Sequence, residues 1–204
     1  GDAITTGSFN TAVGYIALST ATTANNNTAI GREALRDTTS GDDNVAVGKE
    51  AAKLNTTGAN IVAVGNHALN VNTTGAANTA IGSSALVANT TASNNVAVGN
   101  AALAANTTGE NNIAIGGNAL DANTTASNNT AVGRDALGGN TTGTGNTSVG
   151  KQSAQGITTG DENTFMGLET GTANVTMSTA NKNTIIGAKC STSSNNVDLN
   201  VVIG

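Results

Sequence analysis

The sequence predicts an all-β chain folded as a parallel β-solenoid, a rod of stacked coils joined by turns. A short motif of the form N-T-A-V-G returns at a constant spacing along most of the chain. Its residues are β-branched or small and it ends on glycine, which suits a short strand followed by a turn. The 204 residues contain no Trp and no Pro, two Phe and one Tyr, so a thick globular core is not expected. A fixed, short period is the sequence signature of a solenoid.

The motif glycine sets the length of each coil. From Gly14 the motif glycines follow one another at a constant step of seventeen, through Gly31 and on to Gly167. The next step, to Gly187, is longer by three, and the last step, to Gly204, has the regular length again. Such a coil is too short for a pair of helices, and the Gly, Asn and β-branched content disfavours helix. The coils are therefore predicted to be built from strands.

The same spacing predicts the domain organisation. We expect one solenoid domain over 1–204, with regular repeats over 1–167, an irregular coil over 168–187 and a last coil over 188–204. The three extra residues of the irregular coil are expected within 172–181, as an outward bulge that leaves the coil register unchanged.

Side chains alternate between the two faces of a strand, and this assigns an inside to each motif. We predict that Val96 and Val98 point inward and that Ala97 points outward, so that Val98→Asp disrupts several coils. The outward Ala face is then a candidate contact between subunits, since small side chains let backbones approach closely. The small residue three places after each motif glycine, and the Leu that usually follows it, are also predicted to be inward.

A second short strand is expected in each coil, around the A-L or N-T-T segment, so that stacking produces parallel sheets. The predicted core is thin, with only a few apolar side chains in each coil. We therefore expect ladders of Asn and Thr side chains, and burial between subunits, to contribute to stability. Neither end of the sequence carries an atypical polar cap, which favours a continuous fibre that stacks head to tail or continues in a longer protein.

No constellation of residues favours catalysis, a cofactor or a metal. The one histidine, His67, lies in a variable pair after a motif glycine that we interpret as a solvated face, and no second His or Cys stands at ligand spacing. Cys190 occupies the small-residue column and is interpreted as a small buried side chain. The acidic pairs at 42–43 and 161–162 occupy turn positions, with a calcium site as the alternative interpretation. We predict no enzymatic activity.

The recurring N-T-T segment leaves two interpretations open. Its asparagines fit the acceptor pattern for N-glycosylation, and they also fit a ladder of stacked side chains that satisfies polar groups in the turns. An outward array of Asn and Thr repeating along the rod further raises ice binding as a minor alternative function. The candidate acceptors are Asn55, Asn72, Asn89, Asn106, Asn123 and Asn140.

Composition excludes several classes of partner. Eight basic and 13 acidic residues give a net charge of -5, which does not suit a nucleic-acid backbone. No apolar run approaches the roughly 20 residues of a membrane-spanning helix. We expect neither nucleic-acid binding nor membrane insertion of this segment.

The motifs N-T-A-V-G at Asn10 and N-V-A-V-G at Asn44, with a small residue three places on, resemble the YadA-type head repeats of trimeric autotransporter adhesins. The resemblance covers the whole chain, although the coil is longer than the usual head repeat. It implies a left-handed parallel β-roll, a homotrimer of chains packed side by side, and binding to host or environmental surfaces. Similar arrays occur in phage tail-fibre-like proteins.

These observations together predict a non-enzymatic, extracellular structural fibre or adhesin segment at a cell surface, acting as a spacer and a binding scaffold. The alternative is a shaft or receptor-binding element of a phage tail fibre, on the virion. Self-association, as a homotrimer or as a head-to-tail fibre, is expected in both cases. The sequence does not identify a ligand.

Overall fold

A computed structural model describes residues 5–172, 177–192 and 196–204. Within them the chain forms a parallel β-solenoid with one three-residue strand in each coil. All twelve strands belong to one sheet, in the same order as in the sequence. The strands are β1 (Thr11–Val13), β2 (Thr28–Ile30), β3 (Val45–Val47), β4 (Val62–Val64), β5 (Thr79–Ile81), β6 (Val96–Val98), β7 (Ile113–Ile115), β8 (Thr130–Val132), β9 (Thr147–Val149), β10 (Thr164–Met166), β11 (Thr184–Ile186) and β12 (Val201–Ile203).

Each strand pairs in parallel with the next, and equivalent motif residues stack on one another. Across the long step, Thr164 still pairs with Thr184, so the register is kept as predicted. The backbone N–H of Thr158 donates to the Ser178 carbonyl at 2.9 Å, so the coils also stay joined on the far side of the insertion. The predicted bulge itself includes residues 173–176, which lie outside the described residues.

The predicted faces of the strand were wrong. From β2 to β11 the middle residue is buried, and the first and third residues are half-buried or exposed. Ala97 is fully buried, whereas Val96 and Val98 face outward. The interior is so narrow that the strand contributes an Ala to it and leaves its β-branched residues outside. Val98→Asp is therefore no core substitution, and the Ala face is no contact between subunits.

The inward columns on the opposite side of the coil are confirmed. Ala102 and Leu103 are fully buried, and their equivalents are buried in most coils. The apolar part of a coil's interior thus consists of the strand Ala, the small residue after the motif glycine and the Leu that follows it.

The second strand expected in each coil is absent from the described residues, where turns take its place. His67 and Leu69 have left-handed backbone conformations, with φ of 56° and 53°. The Ala68 N–H donates to the Gly65 carbonyl at 3.4 Å and the Asn72 N–H to the Leu69 carbonyl at 3.2 Å, which closes two successive turns. Left-handed residues interrupt an extended strand. Hydrogen bonds to the next coil persist, as from Leu69 N–H to the Ala85 carbonyl at 2.9 Å.

The motif glycine is required by its backbone and by the stacking. Gly65 has a φ of 139°, a conformation that side-chain-bearing residues rarely adopt. A Cβ there would also lie only 2.5 Å from the carbonyl oxygen of Gly82 in the next coil. This explains why the motif ends on glycine in every coil.

The width of the interior is constant even where its residues change. Phe165 replaces the strand Ala in β10 and is fully buried, and Gly171 stands in the Leu column of the same coil. A Cβ on Gly171 would collide with the ring of Phe165. Phe plus Gly therefore fills the space that Ala plus Leu fills elsewhere.

Because Phe165 and Gly171 share one space, substitutions at the two positions should have non-additive effects on the free energy of unfolding. Phe165→Ala should destabilise the chain by about 3 to 5 kcal/mol through an unfilled cavity, and Gly171→Leu should destabilise it through overpacking. The double variant restores the usual Ala and Leu pair and should unfold within about 1.5 kcal/mol of the original chain. Denaturant unfolding of all four proteins measures the coupling. Additive losses in the double variant would contradict the shared space.

Candidate functional site

Two columns of asparagine lie inside the rod and tie each coil to its neighbours. In the motif column, the side-chain oxygen of Asn95 accepts the Asn112 backbone N–H at 2.9 Å, and Asn95 Nδ2 donates to the Gly109 carbonyl at 2.9 Å. Most motif asparagines repeat this pair of bonds, and Ile61 replaces one of them. These side chains satisfy the buried turn backbone of the next coil.

The second column consists of the six asparagines of the N-T-T segments. Each is fully buried. Asn106 Nδ2, for example, donates to Asn89 Oδ1 at 3.2 Å and to the Gly109 carbonyl at 3.0 Å. The ladder interpretation of these residues is confirmed. In the folded chain their amide nitrogens donate hydrogen bonds inside the rod, and glycosylation at Asn55, Asn72, Asn89, Asn106, Asn123 and Asn140 stays a prediction.

The two threonines of each N-T-T segment differ in their hydroxyl groups. Thr107 Oγ1 donates to the carbonyl of Thr124 in the next coil at 3.1 Å, and this bond recurs along the column. The following residue, such as Thr108, is exposed, and its hydroxyl has no hydrogen-bond partner within the described part of the chain. The predicted outward array of Asn and Thr is thus reduced to one free hydroxyl column, because the Asn points inward. This weakens the ice-binding alternative.

A cluster of ion pairs covers one side of the second, third and fourth coils. Glu33 lies at its centre, and Lys53 Nζ approaches Glu33 Oε2 to 2.6 Å while Arg32 and Arg36 lie at 2.7 and 3.1 Å. The Glu33 side chain is only 6% exposed. The hydrogen bonds from Lys53 and then from Arg32 lower the pKa of Glu33 to about 2.

His67 belongs to the edge of this cluster. Its Nδ1 lies 3.5 Å from Glu50 Oε2, and its side chain is one-third exposed. The two residues after each motif glycine were predicted to form a solvated face, but in this cluster only the first of them is mainly exposed to solvent. Lys49 is half exposed, whereas Glu50 behind it is 15% exposed.

The acidic pairs before the motif accept hydrogen bonds from backbone N–H groups in the turns of the preceding coil. Asp42 Oδ1 accepts the Asn25 backbone N–H at 2.6 Å, and Asp161 Oδ1 accepts the Thr144 backbone N–H at 2.6 Å. Among the described residues no group of three His, Cys, Asp or Glu side chains is arranged to hold a metal ion. Cys190 is a free, half-buried thiol packed against the end of the core.

The outer side of the twelve-stranded sheet forms one side of the rod. We call the first and third residues of β1 to β12 the sheet face. Its third column is Val, Ile or Met in every strand, and its first column is Thr, Val or Ile. Ile81 and Ile115 remain 40% and 41% exposed. The third column therefore exposes an apolar strip along the twelve strands, beside a first column in which seven of the twelve residues are Thr.

Sequence reasoning missed the sheet face because both faces of the motif are apolar. A signal was nevertheless present in the irregular coils. Where the strand Ala becomes Phe165 or Ile185, the Leu column becomes Gly171 or Ser191. Such compensation indicates that the middle residue, not its neighbours, shares the interior with the Leu.

No helix within the described ranges has both the length and the apolar character of a membrane span. No protein-family model, curated protein or solved structure matches this chain. The fold thus defines its class by itself, as a parallel β-solenoid repeat protein.

The ion-pair cluster predicts an acid-dependent loss of stability. The pKa of Glu33 in the folded chain is about 2, against an ordinary value of 4.5. Because the ionised Glu33 carboxylate is favoured in the folded state, its ion pairs contribute fully to the free energy of unfolding above pH 4.5. This contribution is lost as the pH falls toward 2 and the carboxylate becomes protonated. Glu33→Gln should therefore lower the free energy of unfolding at neutral pH, and its difference from the original chain should vanish near pH 2.

Urea unfolding across this pH range measures the effect. Glu110→Gln is the matched control, because Glu110 is exposed and takes part in no ion pair of the described residues. A difference between the Glu33→Gln variant and the original chain that stays constant down to pH 2 would contradict the assigned role.

Proposed function

We propose that this chain is a non-enzymatic, extracellular structural fibre or adhesin segment that associates with copies of itself through the sheet face. The single observation that carries the proposal is the uninterrupted apolar third column of the sheet face. Monomeric soluble proteins rarely expose a large contiguous apolar patch. A partner is therefore expected to cover it.

The regular spacing of side chains on the sheet face favours a second copy of the chain as that partner. Equivalent side chains recur once in each coil, at the spacing of ~4.8 Å between paired strands. A partner must share this repeat to fit the face along its whole length. Another copy of the same solenoid has that repeat, and its sheet face is apolar in the same positions.

The remaining surface suits a spacer and a display scaffold. The column after the motif glycines is variable, with Asn66, Ser83 and Asn100 in three successive coils and Leu168 in a later one. A rigid core with variable surface columns allows binding residues to change without altering the coil. The homotrimer implied by the resemblance to YadA-type head repeats is one assembly that would cover the sheet face.

A phage tail-fibre shaft or receptor-binding element is the alternative context for the same fibre. Both contexts require a stiff rod that associates laterally. Neighbouring genes distinguish them, since an outer-membrane anchor favours the adhesin and baseplate or tail genes favour the phage.

Charged substitutions separate the sheet face from the interior. The double variant Val64→Asp, Val98→Asp should fold as a solenoid but dissociate to monomers, because association would bury unpaired charges. The control Thr91→Asp, Thr108→Asp adds the same charge in an exposed column outside the sheet face and should remain associated. Ala97→Asp should abolish folding, because Ala97 is fully buried.

Sedimentation, circular dichroism and electron micrographs measure the mass, fold and particle length of each variant. A wild-type chain that stays a compact, monodisperse monomer at high concentration would refute the proposal. If the Val64→Asp, Val98→Asp variant unfolded while the Ala97→Asp variant folded, the valines would be the inward residues and the assignment of the two strand faces would be wrong.

A further inference from the structure

We infer that the rod has a built-in opening point at β9, which divides it into two sections that unfold separately. This inference does not depend on the proposed association. In a solenoid each coil contacts only its neighbours, so the stability of the rod is approximately a sum over its coils and the interfaces between them. A weak interface inside the rod therefore separates the coils before it from the coils after it. We call residues 134–163, which lie between β8 and β10 and contain β9, the junction.

The second asparagine column ends in the junction. From Asn72 to Asn140, each Nδ2 of this column donates to the Oδ1 of the preceding asparagine at 2.8 to 3.2 Å. Ile157 and Met177 occupy the later positions of the column and are fully buried. The Asn140 Oδ1 atom is buried and has no hydrogen-bond partner. Such an acceptor has lost its hydration without a replacement, so it weakens the contact between the coils on its two sides.

Another buried atom without a partner lies one coil further on. Ser153 stands in the small-residue column, which is Ala in most coils, and its Oγ is buried and unpaired. Ser148 replaces the strand Ala of β9, and its Oγ donates to the Ser153 carbonyl at 2.8 Å, which leaves the Ser153 hydroxyl without a partner. Among the described residues three buried side-chain atoms lack a partner, and two of the three lie in the junction.

The apolar contacts of the junction are also reduced. Ala154 is fully buried in the column that Leu occupies in most coils, and its side chain is shorter. Ile157 adds apolar surface in the asparagine column but cannot continue the hydrogen bonds of that column. The junction thus loses a ladder bond on one side of the coil and a Leu on the other.

Glycines lower the stability of the junction further, because glycine loses more conformational freedom on folding than any other residue. Gly138 and Gly145 stand where the preceding coil has Asp121 and Asn128. At Gly156 no atom lies within 4 Å of the place that a Cβ would take, and its φ lies outside the left-handed region. Packing therefore gives no reason for a glycine at this position. The junction glycines outside the motif and the turn after N-T-T are Gly138, Gly139, Gly145 and Gly156.

The other end of the second asparagine column is held together by charge. Thr38 precedes Asn55 in this column, and Thr38 Oγ1 is the third buried atom without a partner. There, however, the ion pair between Glu33 and Lys53 joins the two successive coils at 2.6 Å. Among the described residues no ion pair joins the turn after β8 to the turn after β9. The junction therefore lacks the link that compensates for the unpaired Thr38.

The junction nevertheless keeps the register of the coils. Asn146 Oδ1 accepts the Asn163 backbone N–H at 3.0 Å, and β9 pairs with both β8 and β10. The junction is thus a weaker interface inside a continuous rod. A fibre that is pulled or heated would open there, while the coils before β8 stay joined by both asparagine columns.

Hydrogen exchange of the backbone amides, followed by mass spectrometry in urea below the main unfolding transition, tests the division into two sections. Strands β5 to β7 should share one high protection. Strands β10 and β11 should share a second one, lower by roughly tenfold or more, because a single unpaired buried group suffices for such a difference. Equal protection from β5 to β11 would overturn the inference. A gradual decline toward Gly204 without a step at β9 would overturn it as well.

Two repairs of the junction test the cause of the step. Ser153→Ala removes the unpaired hydroxyl and restores the usual residue of its column, so it should raise the protection of β10 and β11 roughly tenfold. Gly156→Ala should raise it roughly threefold by restricting the unfolded chain, because the added methyl group meets no neighbour. Neither substitution should change the protection of β5 to β7.

Ser40→Ala is the matched control for Ser153→Ala. Ser40 is exposed and its hydroxyl has no partner within the described part of the chain, so its removal should leave both sections unchanged. Unchanged protection of β10 and β11 in both repaired variants would overturn the inference. An equal rise in protection along the whole rod would also overturn it, because the rod would then unfold as one unit.

Discussion

The buried asparagine columns are the interaction on which the rest of this structure depends. A coil this short has many turn amides and carbonyls that face the interior, and unpaired groups there would be costly. The motif Asn side chains pair these groups by hydrogen bonding to the backbone of the next coil, as Asn95 does with Asn112 and Gly109. The second column shows what happens when the series stops: Ile157 follows Asn140, and Asn140 Oδ1 has no partner.

These columns leave little room for apolar side chains, and this links the interior to the proposed function. The interior accepts an Ala from the strand and a Leu from the opposite turn, or a Phe and a Gly in their place. The larger β-branched residues of the strand must therefore lie outside, where they form the sheet face. The lateral association that we propose rests on this exposed apolar strip, which a solitary monomer would leave in water.

Periodicity alone was sufficient to predict the solenoid, the coil length and the retained register across the long step to Gly187. It also identified the inward Ala and Leu columns and the Asn ladder. It did not identify the inward face of the strand, because a period of two does not say which of two apolar faces is buried. Nor did it exclude a second strand, since Leu69 and its equivalents adopt a left-handed conformation that Leu rarely takes and that only stacking between coils explains. The ion pair between Glu33 and Lys53 joins side chains of two successive coils and so follows only from the structure.

Exchange of the asparagine side-chain amides with deuterated solvent tests the central claim most directly. Asn89, Asn106 and Asn123 donate inside the ladder, whereas Asn94 and Asn111 are exposed on the same coils. Nuclear magnetic resonance can follow the Nδ2 protons of each residue separately. Those of the three ladder residues should exchange more slowly than those of the two exposed residues by roughly two orders of magnitude or more, because their exchange requires a coil to open. Equally fast exchange of both groups would contradict the account, since the asparagine columns would then be open to solvent and could not hold the coils together.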